Sequence, residues 1–225
     1  MMKKLTIILL VFAGWNSLLA QCDVSCLPDG ITFTTQEQID SFQTNYPGCT
    51  EILGDVTIGN TLTSDITNLN GLIALTSIEG SLTISGTQLA TLSGFDNLTY
   101  VGGDLYVGYN LFLSSLTGLE GLTSIGWGIS IYCNNILNSL EGLGNIVSIP
   151  YYFNIVGNDS LSNMTGLESL SSIGMWLIIM GNNTLSSLTG LEGLTSIGDH
   201  FSLRHNDSLV SLQGLENITS LGGPI

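Results

Sequence analysis

The chain has 225 residues, 44% of them hydrophobic, and carries eighteen carboxylates against three basic residues, a formal charge of −15. That balance excludes nucleic acid and anionic lipid as partners, because phosphate recognition needs clustered Lys and Arg. Only 9% of the residues are charged, and an abundance of Leu, Ile and Gly excludes a disordered chain.

Residues 1–20 read as an export signal peptide. Lys3 and Lys4 form a basic start, Leu5 to Trp15 an apolar run, and Ala20 a small residue at a cleavage point before Gln21. The run is too short to span a bilayer, and no later stretch reaches the roughly 18–20 apolar residues a transmembrane segment needs. The expected location is therefore secreted or cell-surface. A lipid anchor at Cys22 is the rival reading, but Gln21 is bulky where such signals take a small residue. Removing the leader leaves Arg204 alone against eighteen acids, a formal charge of −17.

Residues 21–52 read as an N-terminal cap. Thr34 and Glu37 have the spacing of a capping box, Ile39 and Phe42 share an inward face, and Tyr46-Pro47-Gly48 stops the helix. Four cysteines in an exported chain permit three pairings. Cys26 and Cys49 bracket the helix and are the favoured disulfide. Cys133 is expected to be unpaired and buried, and Cys22 has no evident partner.

From Leu53 to Leu221 the chain repeats itself. Five copies of 24 residues stand in register: Gly102–Ile125, Gly126–Ile149, Pro150–Ile173, Gly174–Ile197 and Gly198–Leu221. A 23-residue copy, Glu79–Val101, and a 26-residue copy, Leu53–Ile78, precede them. A period this short predicts a solenoid, since one coil cannot bury its apolar side chains until neighbours stack on it. The expected fold is all-β, with about seven coils behind a short capping helix. Residues 222–225 begin a coil that is not completed, so the chain is expected to be a fragment, or to continue into further domains.

Within a coil, numbered from its opening residue, positions 4 and 6 are apolar (Leu105 and Val107, Ile129 and Ile131), the alternation of a strand with one face inward. Position 9 is Asn110, Asn134, Asn158, Asn182 and Asn206, read as a structural ladder that bonds the backbone of the next coil at a bend. Positions 12, 15, 18 and 21 are apolar, which predicts one or two further short strands separated by tight corners. Gly at position 17 and usually at position 1 supplies positive φ or close backbone approach.

Chemistry-bearing residues are sparse. His200 and His205 share one coil, and Cys133 lies three coils from His205, about 14 Å away at sheet spacing, too far for a nucleophile and its base. Position 19 carries Asp96, Glu120, Glu168, Glu192 and Glu216, interrupted by Gly144. These acids sit in copied surroundings, whereas a glycosidase differentiates its two carboxyl groups by environment. They read as a solvated acidic ridge with weak cation affinity at most. No catalytic residue, dedicated metal site or cofactor is expected.

What varies from coil to coil is the outward face. Trp127, Tyr151, Tyr152 and Trp176 occupy positions 2 and 3, Tyr106 and Ile178 position 5, Tyr132 and Met180 position 7. If positions 4 and 6 point inward, these form a contiguous aromatic and aliphatic patch, the composition of a partner-binding surface.

The segments Cys49–Ile58, Glu79–Ile84 and Gly102–Val107 with Asn110 resemble the receptor L-domain, the ligand-binding module of insulin and epidermal growth factor receptors, also found in exported bacterial surface proteins. The resemblance covers about Cys26 to Leu221. It implies a right-handed β-helix related to leucine-rich repeats, and a binding role. Residues 1–225 contain no kinase, Cys-rich module or transmembrane helix, so receptor signalling is not expected to carry over. A true leucine-rich-repeat horseshoe is the rival fold, but three residues, not two, separate Ile125 from Ile129. The expected function is non-enzymatic recognition or adhesion, with a protein or glycan bound on the first-strand face. A structural spacer is the alternative, and a carbohydrate-active β-helix is less favoured. Six Asn-x-Ser/Thr sequons, at Asn97, Asn158, Asn163, Asn182, Asn206 and Asn217, follow largely from the repeat's composition.

Overall fold

A computed structural model describes residues 24–59 and 64–223. The leader expected at 1–20, Cys22 and residues 224–225 lie outside the described residues. The architecture is an all-β solenoid. Its main wall is one eight-stranded parallel sheet, with strands Ile31–Phe33, Val56–Gly59, Leu82–Ser85, Leu105–Gly108, Ile129–Tyr132, Tyr152–Val156, Trp176–Met180 and Phe201–Arg204 lying side by side. Residues 24 apart become lateral neighbours: Ile129 pairs with Leu105 on one side and Phe153 on the other. Inward Leu105, Val107, Ile129, Ile131, Phe153 and Ile155 are all at most 1% exposed, so period-two alternation turns directly into one buried column and one outward column.

The second wall consists of short strands that close each coil. Val24–Cys26, Cys49–Ile52, Ser77–Ile78, Tyr100–Val101 and Ser124–Ile125 form a five-stranded parallel sheet. Ser148–Ile149, Ser172–Ile173, Ser196–Ile197 and Ser220–Leu221 form a separate four-stranded one. Elsewhere a rung hands its opening N–H back across this wall: Gly126 to Val101 O at 2.8 Å, Gly174 to Ile149 O at 2.9 Å and Gly198 to Ile173 O at 2.9 Å. Between the two sheets the opening residue is Pro150, which has no N–H.

The third side contains turns in place of the further strand its apolar spacing suggested. Leu113 N bonds Asn110 O at 3.2 Å, Leu119 N bonds Leu116 O at 3.2 Å and Leu122 N bonds Leu119 O at 2.9 Å. Turns closing every three residues bring every third side chain inward, which explains apolar residues at 12, 15, 18 and 21; Leu113, Leu116, Leu119 and Leu122 are fully buried. Fully burying each such side chain contributes roughly 1.5–3 kcal/mol before chain entropy is subtracted.

The two repeated glycines have different physical causes. Position 17 is left-handed throughout, with φ between 103° and 110° at Gly118, Gly142, Gly166, Gly190 and Gly214. Position 1 instead needs space: a Cβ on Gly126 would lie 1.9 Å from Gly102 O.

The segment read as a cap takes part in the solenoid itself. Ile31–Phe33 and Cys49–Ile52 belong to the two walls, so the rungs number about eight. The helices α1 (Gln36–Asp40) and α2 (Phe42–Asn45) are inserted between those strands. The capping box lies one residue later than its spacing suggested, on Thr35 and Gln38, because Thr35 holds the extended N-cap geometry (φ −133°, ψ 155°). Ile39 and Phe42 are fully buried, and Phe42 meets Phe33 edge to face with centroids 5.6 Å apart. Cys26 and Cys49 form a disulfide between adjacent strands, their Cα atoms 5.8 Å apart.

Candidate functional site: the outward face of the eight-stranded sheet

Parallel strands in register put equivalent side chains about 4.8 Å apart, so large rings at neighbouring positions must stack or clash. They stack. Trp127 lies on Tyr151 with centroids 5.2 Å apart and planes 25° from parallel, Tyr152 on Trp176 at 6.5 Å and 20°, and Tyr106 on Tyr132 at 6.0 Å and 18°. Trp127, Tyr151 and Trp176 are 55%, 42% and 40% exposed. Tyr106, Tyr132, Tyr152, Ile178 and Met180 are half-buried on the same wall.

Two glycines make this surface possible. Tyr106 and Tyr132 are not register partners; Tyr132 pairs with Gly108. A Cβ on Gly108 would stand 2.6 Å from the Tyr106 hydroxyl oxygen and 2.7 Å from its ring, so the absent side chain is where Tyr106 lies. Gly128 does the same for Tyr152, whose ring atoms would be 2.6–2.7 Å from a Cβ there. Tyr152 thus leans back over the preceding rung, toward Ser130 and Asp104. Burial pushes the Tyr152 phenol well above its ordinary value, and the neighbouring Asp104 carboxylate adds to the rise. Tyr106 and Tyr132 are raised mainly by burial, then by neighbouring Tyr109 and Cys133. Trp176 Nε1 donates to Asp199 Oδ2 at 2.9 Å. Asn154, in the middle of the wall, donates from Nδ2 to Ser130 Oγ at 3.3 Å, while its buried Oδ1 has no partner.

The asparagines flank this wall at its exit corner. Asn110, Asn134, Asn158 and Asn182 are completely buried. Each reaches one rung back: Asn134 Nδ2 donates to Val107 O at 3.0 Å, while Asn134 Oδ1 accepts from Asn110 N at 3.1 Å. Asn158 repeats the pair with Ile131 O at 3.0 Å and Asn134 N at 3.1 Å. Asn206, half-buried in the last rung, completes the run, bonding Ile179 O at 2.9 Å.

Just before each asparagine the backbone is left-handed. Gly157 and Gly181 occupy that corner, but so do Tyr109, Cys133 and His205, with φ of 58°, 51° and 53°. Cys133 is accordingly half-exposed and not buried as its residue type suggested, because the corner turns its side chain off the core; it is free. Tyr109 joins Leu111 and Phe112, each 55–63% exposed, along a second hollow unrecognised from the sequence. Its only signal was a bulky residue where other coils carry glycine.

The acidic ridge is tied to the fold. Asp96, Glu120, Glu168, Glu192 and Glu216 each accept the N–H of the left-handed glycine two residues earlier, at 2.7, 2.7, 3.0, 2.7 and 2.8 Å. They are corner caps, each serving its own rung. At Gly144 the ridge opens into a shallow hollow of about 410 Å³ lined by Glu120, Glu141 and Glu168. Among the described residues no group of three acids, histidines or cysteines is placed to hold a metal ion, and no helix is long and apolar enough to cross a membrane.

The segment bearing Asp104, Tyr106 and the start of the aromatic surface is the one that finds a counterpart among known proteins. Residues 48–127 match the Receptor L domain. The receptor L domain is a ligand-binding, non-enzymatic module, and its match covers three consecutive strands of the main wall, Val56–Gly59, Leu82–Ser85 and Leu105–Gly108, with one strand of that sheet before it and four after it. No curated protein and no solved structure matches the chain.

Proposed function

We propose that this protein is an exported, non-enzymatic recognition module that binds a protein ligand through the outward face of its eight-stranded sheet. One observation carries the reading: three stacked ring pairs lie on a wall whose backbone is fixed by parallel pairing, with both tryptophans and Tyr151 at least 40% exposed. Rigid, pre-ordered aromatic side chains lose little freedom on binding and dominate interface energetics. The receptor L domain match and the Cys26–Cys49 disulfide support an extracellular setting, with residues 1–20 as the export signal. The acidic surface favours a partner with complementary basic groups around an apolar centre. Catalysis by the position-19 acids is disfavoured, since each already caps a backbone N–H.

The test is binding of the folded chain to an arrayed panel of extracellular proteins, with a glycan array in parallel. A Trp127→Ala, Tyr132→Ala, Trp176→Ala variant with an unchanged circular dichroism spectrum should lose every specific interaction. Retained binding would remove the sheet face as the site. Binding to glycans alone would reassign the ligand class, and no binding on either array would favour a spacer role.

A further inference from the structure

Three of the six sequons fall on ladder asparagines: Asn206 is half-buried in the last rung, whereas Asn158-Asp159-Ser160 and Asn182-Asn183-Thr184 are centred on fully buried ones. We infer that an N-linked glycan at Asn158 or Asn182 and the folded solenoid exclude each other, so that the native chain carries such glycans only on its surface sequons. This does not depend on the ligand-binding reading.

The chemistry decides it. In N-glycosylation the side-chain Nδ2 gives up one of its two protons and bonds C1 of an oligosaccharide, while the bond from that carbon to a lipid diphosphate breaks and the diphosphate leaves. The acceptor nitrogen must therefore be reached from outside and must afterwards tolerate a bulky, hydrated substituent. Asn158 and Asn182 have no exposed surface. Asn158 Nδ2 sits 3.0 Å from Ile131 O and 3.3 Å from Val156 O, so both of its protons are committed. Asn182 Nδ2 lies 2.9 Å from Ile155 O, and Asn182 Oδ1 accepts Asn158 N at 2.9 Å. A sugar at either nitrogen would prise two rungs apart and strip hydrogen bonds from buried backbone groups. By contrast Asn97 and Asn217 are exposed and Asn163 is half-buried at the surface, where a glycan extends into solvent. Since a transferase can reach Asn158 or Asn182 only before the rungs close, ladder formation and modification compete for one atom.

The experiment expresses the full chain in a bacterial periplasm, which supplies no such glycan, and in a eukaryotic N-glycosylating secretory host. Glycopeptide mass spectrometry is run on secreted and retained fractions of the latter. Secreted, natively folded protein should show glycans at surface sequons and none at Asn158 or Asn182; glycans at those two positions should appear only in the retained, misfolded fraction. A Ser160→Ala, Thr184→Val variant should move that fraction into the medium. Tunicamycin should do so without any substitution, which decides the matter if the variant fails to fold in the periplasm. Secreted protein with native circular dichroism and a glycan on either ladder asparagine would overturn the inference. So would a ladder-glycosylated fraction that neither treatment rescues.

Discussion

Pro150 stands where Gly126, Gly174 and Gly198 each donate to the preceding rung, and it has nothing to give to the carbonyl of Ile125. The second wall breaks into two sheets at that residue while the eight-stranded wall runs on without interruption. A Pro150→Gly variant should join the two sheets. The gain is one hydrogen bond, about 1 kcal/mol, and added unfolded-chain freedom removes about 0.4–1 kcal/mol. The melting temperature should therefore move little, while the new amide at position 150 becomes protected from hydrogen exchange. An unprotected amide there would mean that the break has another cause.

The asparagine ladder should be most costly to cut in its middle. Asn158→Ala strands the N–H of Asn134 and the carbonyl of Ile131, and orphaning two buried groups predicts a loss of about 2–5 kcal/mol in urea unfolding. Asn206→Ala, in a half-buried terminal rung, should cost about 1 kcal/mol or less. Equal losses at the two sites would contradict the ladder's role.

Tyr152 should make stability fall in alkali. Its phenol is raised above the ordinary 10.0 in the folded state, so the neutral form is preferred on folding. The contribution is complete below the unfolded pKa of about 10 and is lost as pH rises from there toward the folded value. Tyr152→Phe should flatten that alkaline decline. Melting temperatures measured from pH 8 upward, together with phenolate absorbance, check this; identical slopes for the two proteins would count against it.

Reducing the Cys26–Cys49 disulfide opens a loop with a sequence separation of 23 that contains both helices. Loop-closure entropy predicts a loss of about 3 kcal/mol. The double Cys→Ala variant should show this loss in denaturant midpoint, with the far rungs still folded by hydrogen exchange.

Much of this architecture was legible because the repeat writes each physical demand several times. Alternation at Leu105 and Val107 predicted the inward column, and position 17 announced its positive φ through an unbroken run of glycines. The third side was harder, since a three-residue apolar spacing is produced by consecutive turns as well as by short strands. The first rung was hidden because two helices interrupt it and its strands fall out of the 24-residue register. Around the candidate site, the ring positions followed from alternation, but Gly108 and Gly128 gave no warning that they are spaces shaped for Tyr106 and Tyr152. Cys133 misled through residue type, since a left-handed corner overrode the usual preference of a thiol for the interior.

In each strand of the main wall the side chains that hold the solenoid together and those that meet the outside world alternate, and they never trade places. Tyr106 and Ile178 can therefore be rewritten independently of Leu105 and Leu177. Such a scaffold is open to selection for new specificities while its folding instructions remain untouched.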